Sequence, residues 1–344
     1  MYSWSADSVD IHMKAKPNTR KLIFYASIGL IASSISYGTA FAKDDSASYP
    51  SGTITFIVPA TPGGTTDVVA RHVAKRLAER WNSPVLVENK AGAGGVIGAT
   101  HVIKSKPDGH TVLVAPSALG VRSGLDKKLP YTAVRDLAGV ALMAKTPSYL
   151  VVAPDLGLKT VADLKRYASS SKEEVMYASA GVGSTGHLHA AMLAGSQGFA
   201  ASHVPYRGTP EAVTDTITKR VLYVFSPGPN ALPMAKDGRA HILATTSQGG
   251  VGFASDLPVK PEVLTEDIGD DWYAAFVPAG TPDAVREKLS SAIAEVLASP
   301  DVKQSFASIG AEVHTSTPKQ LDDMFRAYVA TVEKIGEQAS IKLD

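Results

Sequence analysis

Apolar and polar positions follow two rhythms along this chain, and they alternate. Thr53-Ile54-Thr55-Phe56-Ile57-Val58 is a β-branched run closed by Pro59 and predicts a first strand. Val69, Val73, Leu77 and Trp81 then recur at i, i+4 spacing, which predicts a helix over Asp67 to Trp81 with one apolar face. Val85 to Glu88 reads as a strand, Val96 to Ser105 as a helix, and Thr111 to Ala115 as a strand entered through a Pro107-Asp108-Gly109 turn. The same alternation resumes later. Strands are predicted at Tyr149 to Ala153, Val175 to Ala178, Ser202 to Val204, Val221 to Phe225 and His241 to Thr245. Helices are predicted after the cap-like Thr160-Val161-Ala162-Asp163, over Ser184 to Ala194, and over Pro210 to Thr218. Pro282 to Ala298 and Pro318 to Gly336 form a helical tail.

Alternation of this kind argues an α/β fold with largely parallel sheets. A chain that crosses to a second lobe near residue 149 and returns near 246 has a discontinuous first lobe, 43–148 plus 247–344, and a contiguous second one, 149–246. Two crossing segments make a hinge suited to closing around a ligand.

The first 42 residues change the picture of where the protein works. Lys14, Lys16, Arg20 and Lys21 precede an apolar stretch from Leu22 to Ile35, and Ala40-Phe41-Ala42 has the small-residue form of a cleavage site. This predicts an export signal over 1–42, cleaved after about Ala42, with Met13 as an alternative start. The rest of the chain then carries 30 basic and 31 acidic side chains, with no footprint for nucleic acid. The absence of cysteine excludes disulfides and thiolate chemistry, and for an exported chain it fits a bacterial periplasm.

Two glycine-rich loops carry the candidate chemistry. Thr61-Pro62-Gly63-Gly64-Thr65-Thr66-Asp67 and Gly181-Val182-Gly183-Ser184-Thr185-Gly186 each follow a strand and open a helix. A helix N-terminus presents unpaired N–H groups and the positive end of the macrodipole, and so favours an anion. Asp67 is suited to cap or to orient the first loop. No Gly-Lys-Ser/Thr follows, so this is not a P-loop. Gly92 to Gly98 is spaced G-x-G-x-x-x-G, with no acid after the next strand; close helix packing suits it better than a dinucleotide. Val182 stands two residues before Ser184 where a hydrolase elbow needs glycine. His187 and His189, at i, i+2, point to different helix faces and do not share a metal. Arg207 is suited to a carboxylate or to solvent, and Trp272-Tyr273 to a cleft wall or to core.

In order, Ile57-Val58-Pro59 through Asp67, Val87-Glu88-Asn89-Lys90-Ala91-Gly92-Ala93-Gly94-Gly95, Pro107 to Thr111, Gly181 to Leu188, Val204-Pro205-Tyr206-Arg207-Gly208 and Pro278-Ala279-Gly280-Thr281-Pro282 resemble the solute-binding subunit of tripartite tricarboxylate transporters, the Bug-type periplasmic receptors. The resemblance runs from about Tyr49 to Gly336. It implies a two-lobed, type II periplasmic-binding-protein fold with the ligand cleft between the lobes. It also implies a carboxylate held by backbone amides, hydroxyls and water. Carried over by position, the ligand candidates are Thr61, Gly63, Gly64, Thr65, Thr66 and Asp67 in lobe one and Gly183, Ser184 and Thr185 in lobe two. Ser117, Tyr206 and Ser226 are secondary candidates. Two stretches depart from the family pattern: Phe225-Ser226-Pro227-Gly228, where an Asp often follows the Phe, and Pro258 to Glu266.

The function expected is a monomeric receptor that passes a carboxylate to membrane transporter subunits, with no cofactor, metal or catalytic group. An alternative keeps the binding and presents the ligand to a sensor protein. A hydrolase using Ser184 and His187 lacks a readable acidic partner and oxyanion hole.

Overall fold

The computed structural model describes residues 48–246, 268–338 and 341. The expected export signal, with Met13 and Ala40-Phe41-Ala42, lies outside them, as does Pro258 to Glu266. Two sheets organise the described chain. In the first, β1 (Ile54–Val58) pairs in parallel with β2 (Val85–Asn89) and β3 (Thr111–Pro116). β4 (Leu137–Thr146), β10 (Asp271–Pro278) and β11 (Glu312–Val313) complete the order β11-β4-β10-β3-β1-β2. The second sheet joins β5 (Ser148–Val152), β6 (Val175–Ser179), β7 (Ala201–Pro205), β8 (Tyr223–Pro227) and β9 (His241–Thr245) in the order β7-β6-β8-β5-β9.

The sheets are mixed, which corrects the expectation of largely parallel ones. β10 runs antiparallel to β3 and β4, and β5 antiparallel to β8 and β9. Both strands are entered from the other lobe. Only Pro147 separates the end of β4 from the start of β5, so the chain enters the second sheet at the edge where β6 and β8 finish and must run the opposite way. β10 begins beside the end of β3 in the first sheet. Its eight residues are all buried, the pattern of a strand covered on both faces.

Helices cover both faces of each sheet. α1 (Thr65–Trp81) buries Val69, Val73 and Leu77 completely against the first sheet. Full burial of each contributes about 1.5–3 kcal/mol before entropy is counted. Asp67 in the first turn and Arg80 in the last suit the helix dipole, and Asn82 in the left-handed region ends the helix with its N–H on the Ala78 carbonyl. α9 (Asp283–Ala298) and α10 (Pro300–Ser308) share that face. α2 (Val96–Ile103), α3 (Ala118–Leu125) and α11 (Pro318–Gln338) cover the other. Around the second sheet, α5 (Val161–Ser170) and α6 (Thr185–Gln197) pack on one face, and α7 (Thr209–Ile217) and α8 (Gly228–Lys236) on the other. α4 (Ala133–Asp136) is a single turn leading into β4. α5 opens with the full capping box between Thr160 and Asp163.

Ser226 to Asn230 forms the end of β8 and the first turn of α8. Pro229 fits there because first-turn N–H groups have no intrahelical acceptor to lose. Trp272 belongs to the core, edge-on to Phe325 and Tyr328. The Gly92 to Gly98 segment serves close packing: a Cβ on Gly98 would stand 2.8 Å from the Pro59 Cβ and 3.0 Å from the Lys90 carbonyl oxygen.

Candidate functional site

β1 and β3 end on one side of the first sheet and β6 and β8 on one side of the second, and Ser117 after β3 meets Thr185 after β6 where the lobes join. The β1–α1 loop is the most open part of this arrangement. Thr61, Pro62, Gly63 and Gly64 are exposed, Thr65 is half-buried, and Thr66 and Asp67 are buried. Asp67 holds the loop from beneath. One carboxylate oxygen accepts the Gly63 N–H and the Arg71 Nε–H, each at 2.9 Å, and the other accepts Asn89 Nδ2–H at 2.9 Å. Burial alone would push the Asp67 carboxyl up; the bonds from Arg71, Gly63 and Asn89 outweigh it and hold the group below the usual carboxylate range. Gly64 stands at the N-cap of α1 and offers no side chain to the first turn. The N–H groups of Thr65 and Thr66 therefore have neither a capping side chain nor an intrahelical acceptor.

The β6–α6 loop is built differently. Ser184 caps α6 by accepting the His187 N–H at 3.3 Å, and its own N–H goes to the Gly181 carbonyl. The Gly183 N–H donates to His187 Nδ1 at 3.3 Å, which places the ring proton on Nε2. Beneath the loop, the His187 ring stacks on His203 with centroids 3.9 Å apart, and His203 Nε2 bonds Ser179 Oγ at 2.7 Å. Tyr177 continues the stack on His203 at 5.1 Å. Burial, with His203 alongside, pushes His187 down to about 4, and burial pushes His203 down to about 4. No bond joins the Ser184 hydroxyl to the His187 ring in this arrangement; the hydroxyl meets the His187 backbone.

Side chains at the lobe junction meet directly. The Ser117 hydroxyl lies 2.7 Å from Thr185 Oγ1 and donates to Asp271 Oδ1 at 2.6 Å; Asp271 Oδ2 accepts the Ser148 hydroxyl at 2.9 Å. All four residues are buried. The Tyr328 hydroxyl faces Ser117 and Thr185, and the Tyr273 hydroxyl faces Thr65. Burial, then the Asp271 charge, pushes both phenols up. Nearby, Arg122 on α3 donates from Nη2 to the Val182 carbonyl at 3.1 Å and from Nη1 to Asp126 at 2.9 Å. Leu188 and Met192 of α6 extend the contact by joining the apolar cluster of α3 and α11.

The structure thus sorts the residues singled out from sequence. Ser117 and Thr185 come together and satisfy each other. Tyr206 donates its hydroxyl to Asp215 at 2.8 Å. Ser226 is wholly buried and bonds the adjacent Pro227 carbonyl at 3.1 Å. Thr61 to Gly64 stay exposed ahead of a half-buried Thr65, while Gly181, Val182 and Ser184 in the other loop are half-buried. Asn89, Arg122, Ser148 and Asp271 were missed. Asp271 had a signal, an acid at the head of the apolar run Trp272 to Pro278. Among the described residues no group of three or more His, Asp or Glu is placed to hold a metal. A separate groove of about 1100 Å³ lies between α8 and the α9–β11 region, walled largely by Leu232, Pro233, Leu297, Ala298, Ile309 and Val313; neither glycine loop reaches it.

The family model of the tripartite tricarboxylate transporter family receptor, TctC, matches residues 69–340. The chain belongs to this family. It is a family of solute-binding receptors, not of enzymes, which removes the hydrolase alternative. BugT of Bordetella pertussis is 32% identical over 321 residues, 91% of this chain and 95% of that protein. Two solved structures from Rhodopseudomonas palustris are also similar. Rpa4515 with adipate has a TM-score of 0.78 at 29% identity and covers 86% of this chain and 99% of that one. MatC with bound malate has a TM-score of 0.75 at 27% identity and covers 83% and 99%. The receptor fold in this chain is the two-lobed α/β fold of periplasmic binding proteins, with the β1–α1 and β6–α6 loops at the lobe junction.

Proposed function

We propose that this TctC-family receptor works in the periplasm as a monomer, closing its lobes over a small carboxylate and delivering it to the membrane subunits of a tripartite tricarboxylate-type transporter. Residues 1–42 are its export signal. Its lobes are 43–148 with 247–344, and 149–246. The observation that carries the reading is the start of α1: an exposed glycine loop leads into a helix whose first N–H groups have no capping side chain. Such a terminus stabilises a carboxylate through charge-assisted hydrogen bonds and the helix dipole. Adipate and malate in the two similar structures support the ligand class.

Within that site Thr61, Gly64, Thr65 and Thr66 offer donors to the carboxylate, Gly63 gives the loop its turn, and Asp67 orients it from below. The β6–α6 loop, with Gly183, Ser184 and Thr185, closes the opposite wall, and Ser117, Tyr206 and Ser226 support that wall. Uptake tests the reading. A strain lacking the protein should lose accumulation of labelled malate or adipate, and the wild-type gene should restore it. Undiminished uptake of both, in a strain whose purified receptor binds one of them, would separate binding from transport and reject delivery.

A further inference from the structure

We propose that Asp271 is a positioning residue for ligand capture: through Ser117 it holds Thr185 at the start of α6, and through Ser148 it holds the strand by which the chain crosses between lobes. The proposal rests on the receptor reading for its purpose and on the lobe junction for its evidence.

The hydrogen bonds of this network run in one direction. The Ser117 proton goes to Asp271 Oδ1, so at 2.7 Å from Thr185 the Ser117 oxygen acts as acceptor and the Thr185 proton points to it. The second carboxylate oxygen takes the Ser148 proton. One acceptor-only group therefore sets the orientation of three hydroxyls. Ser117 follows β3 and leads into α3 in the first lobe, Ser148 begins β5 of the second sheet where the chain crosses, and Thr185 is the first residue of α6. A buried carboxylate is costly without such bonds, and bonds to a charge are stronger than neutral ones. The crossing is tied further by paired bonds between Ser148 and Thr246, each 3.0 Å, and by Thr246 to Asp270 at 2.9 Å. Two residues along β10 from Asp271, Tyr273 lies on the same side of the strand and faces Thr65 in the other glycine loop. Asp271 thus stands between both loops and the hinge.

Asp271→Asn keeps the shape but places a donor where a hydroxyl proton now points. Thr185→Val removes only the hydroxyl that crosses between lobes. The chain contains no cysteine, so Lys75→Cys on α1 and Glu211→Cys on α7, both exposed positions, accept spin labels cleanly. The label separation is measured on the full protein without ligand, then with malate and with adipate. The expected result is a narrow ligand-free distribution that moves to longer separations in Asp271→Asn and in Thr185→Val. With whichever acid binds, dissociation should be about tenfold faster, the size of one lost hydrogen bond to a charge, while association changes little. A purely structural role predicts a lower melting temperature with unchanged separation. Unchanged ligand-free separation in Thr185→Val overturns the proposal, whether or not Asp271→Asn folds. Failure of both acids to bind counts against the ligand reading alone, because the ligand-free arm still decides the role of Asp271.

Discussion

Gly94 lies directly against the guanidinium of Arg122: a Cβ on Gly94 would stand 2.3 Å from Arg122 Nε, and Gly94 has φ +61°, in the left-handed region. The glycine in the β2–α2 turn is what lets a first-lobe arginine reach over to the Val182 carbonyl in the second lobe. The run Gly92 to Gly95 thus serves the lobe junction rather than a nucleotide.

Gly94→Ala should therefore displace the guanidinium and cost about 1 kcal/mol from backbone strain as well. Arg122→Ala added to Gly94→Ala should cost less than Arg122→Ala alone, since the two share one contact. Chemical denaturation of the four proteins in this cycle checks it; strictly additive losses would separate the residues.

Asp67 works by shaping the first loop. Asp67→Ala removes an acceptor shared by Gly63, Arg71 and Asn89, and should destabilise the protein by about 1–3 kcal/mol. Because the folded carboxyl titrates below the unfolded value of about 3.9, its stabilisation is full above that value and is lost as pH falls through the folded one. Denaturation midpoints between pH 5 and pH 2 should fall less steeply in Asp67→Asn than in the wild type. Equal slopes would mean that the carboxylate contributes nothing by its charge.

The His187–His203 stack gives a second acid response at higher pH. Both rings are held near 4 in the folded state against about 6.5 unfolded, so the unfolded chain takes up protons first. Stability is full above about 6.5 and declines toward about 4. His203→Phe keeps a stacking ring but removes one titrating group, and should flatten part of that decline in midpoints measured at pH 7.5, 5.5 and 4. A decline as steep as in the wild type would assign it elsewhere.

Thr65 allows the backbone donor to be tested apart from the side chain. Gly64 is extended, at φ −75° and ψ 166°, which suits a residue before proline, and proline is tolerated at the first helical position. Thr65→Pro should leave α1 intact while deleting one N–H, weakening carboxylate binding by about 1–3 kcal/mol, whereas Thr65→Ala keeps that N–H. Equal affinities in the two variants, by calorimetry, would remove the Thr65 N–H from the site.

Much of this fold is legible in the sequence because its parallel strands and amphipathic helices carry local patterns. Val69, Val73 and Leu77 announce α1, and Thr160 with Asp163 announces α5. β4 and β10 were harder to read. Buried on both faces, they show no alternation, and the direction of β10 depends on the chain having left the second sheet before it. The glycine loops were legible for the same local reasons. What became of their hydroxyls was not: whether Ser117 and Thr185 face a solute or each other depends on residues 68 apart in sequence, and on an acid a further 86 residues along. Ser184 reads equally as a cap or as an anion donor until the His187 N–H is placed on its oxygen.

The start of α1 is expected to capture a carboxylate. The most direct test is the melting temperature of the purified protein, unfolded and refolded to strip any carried ligand. It would be titrated with malate, adipate, a tricarboxylate and an aromatic acid beside their uncharged amides. Ligand that binds only the native state raises the midpoint with concentration. A saturable rise with at least one acid and none with its amide is expected; no rise with any acid, or equal rises with acid and amide, would rule out carboxylate capture at the start of α1.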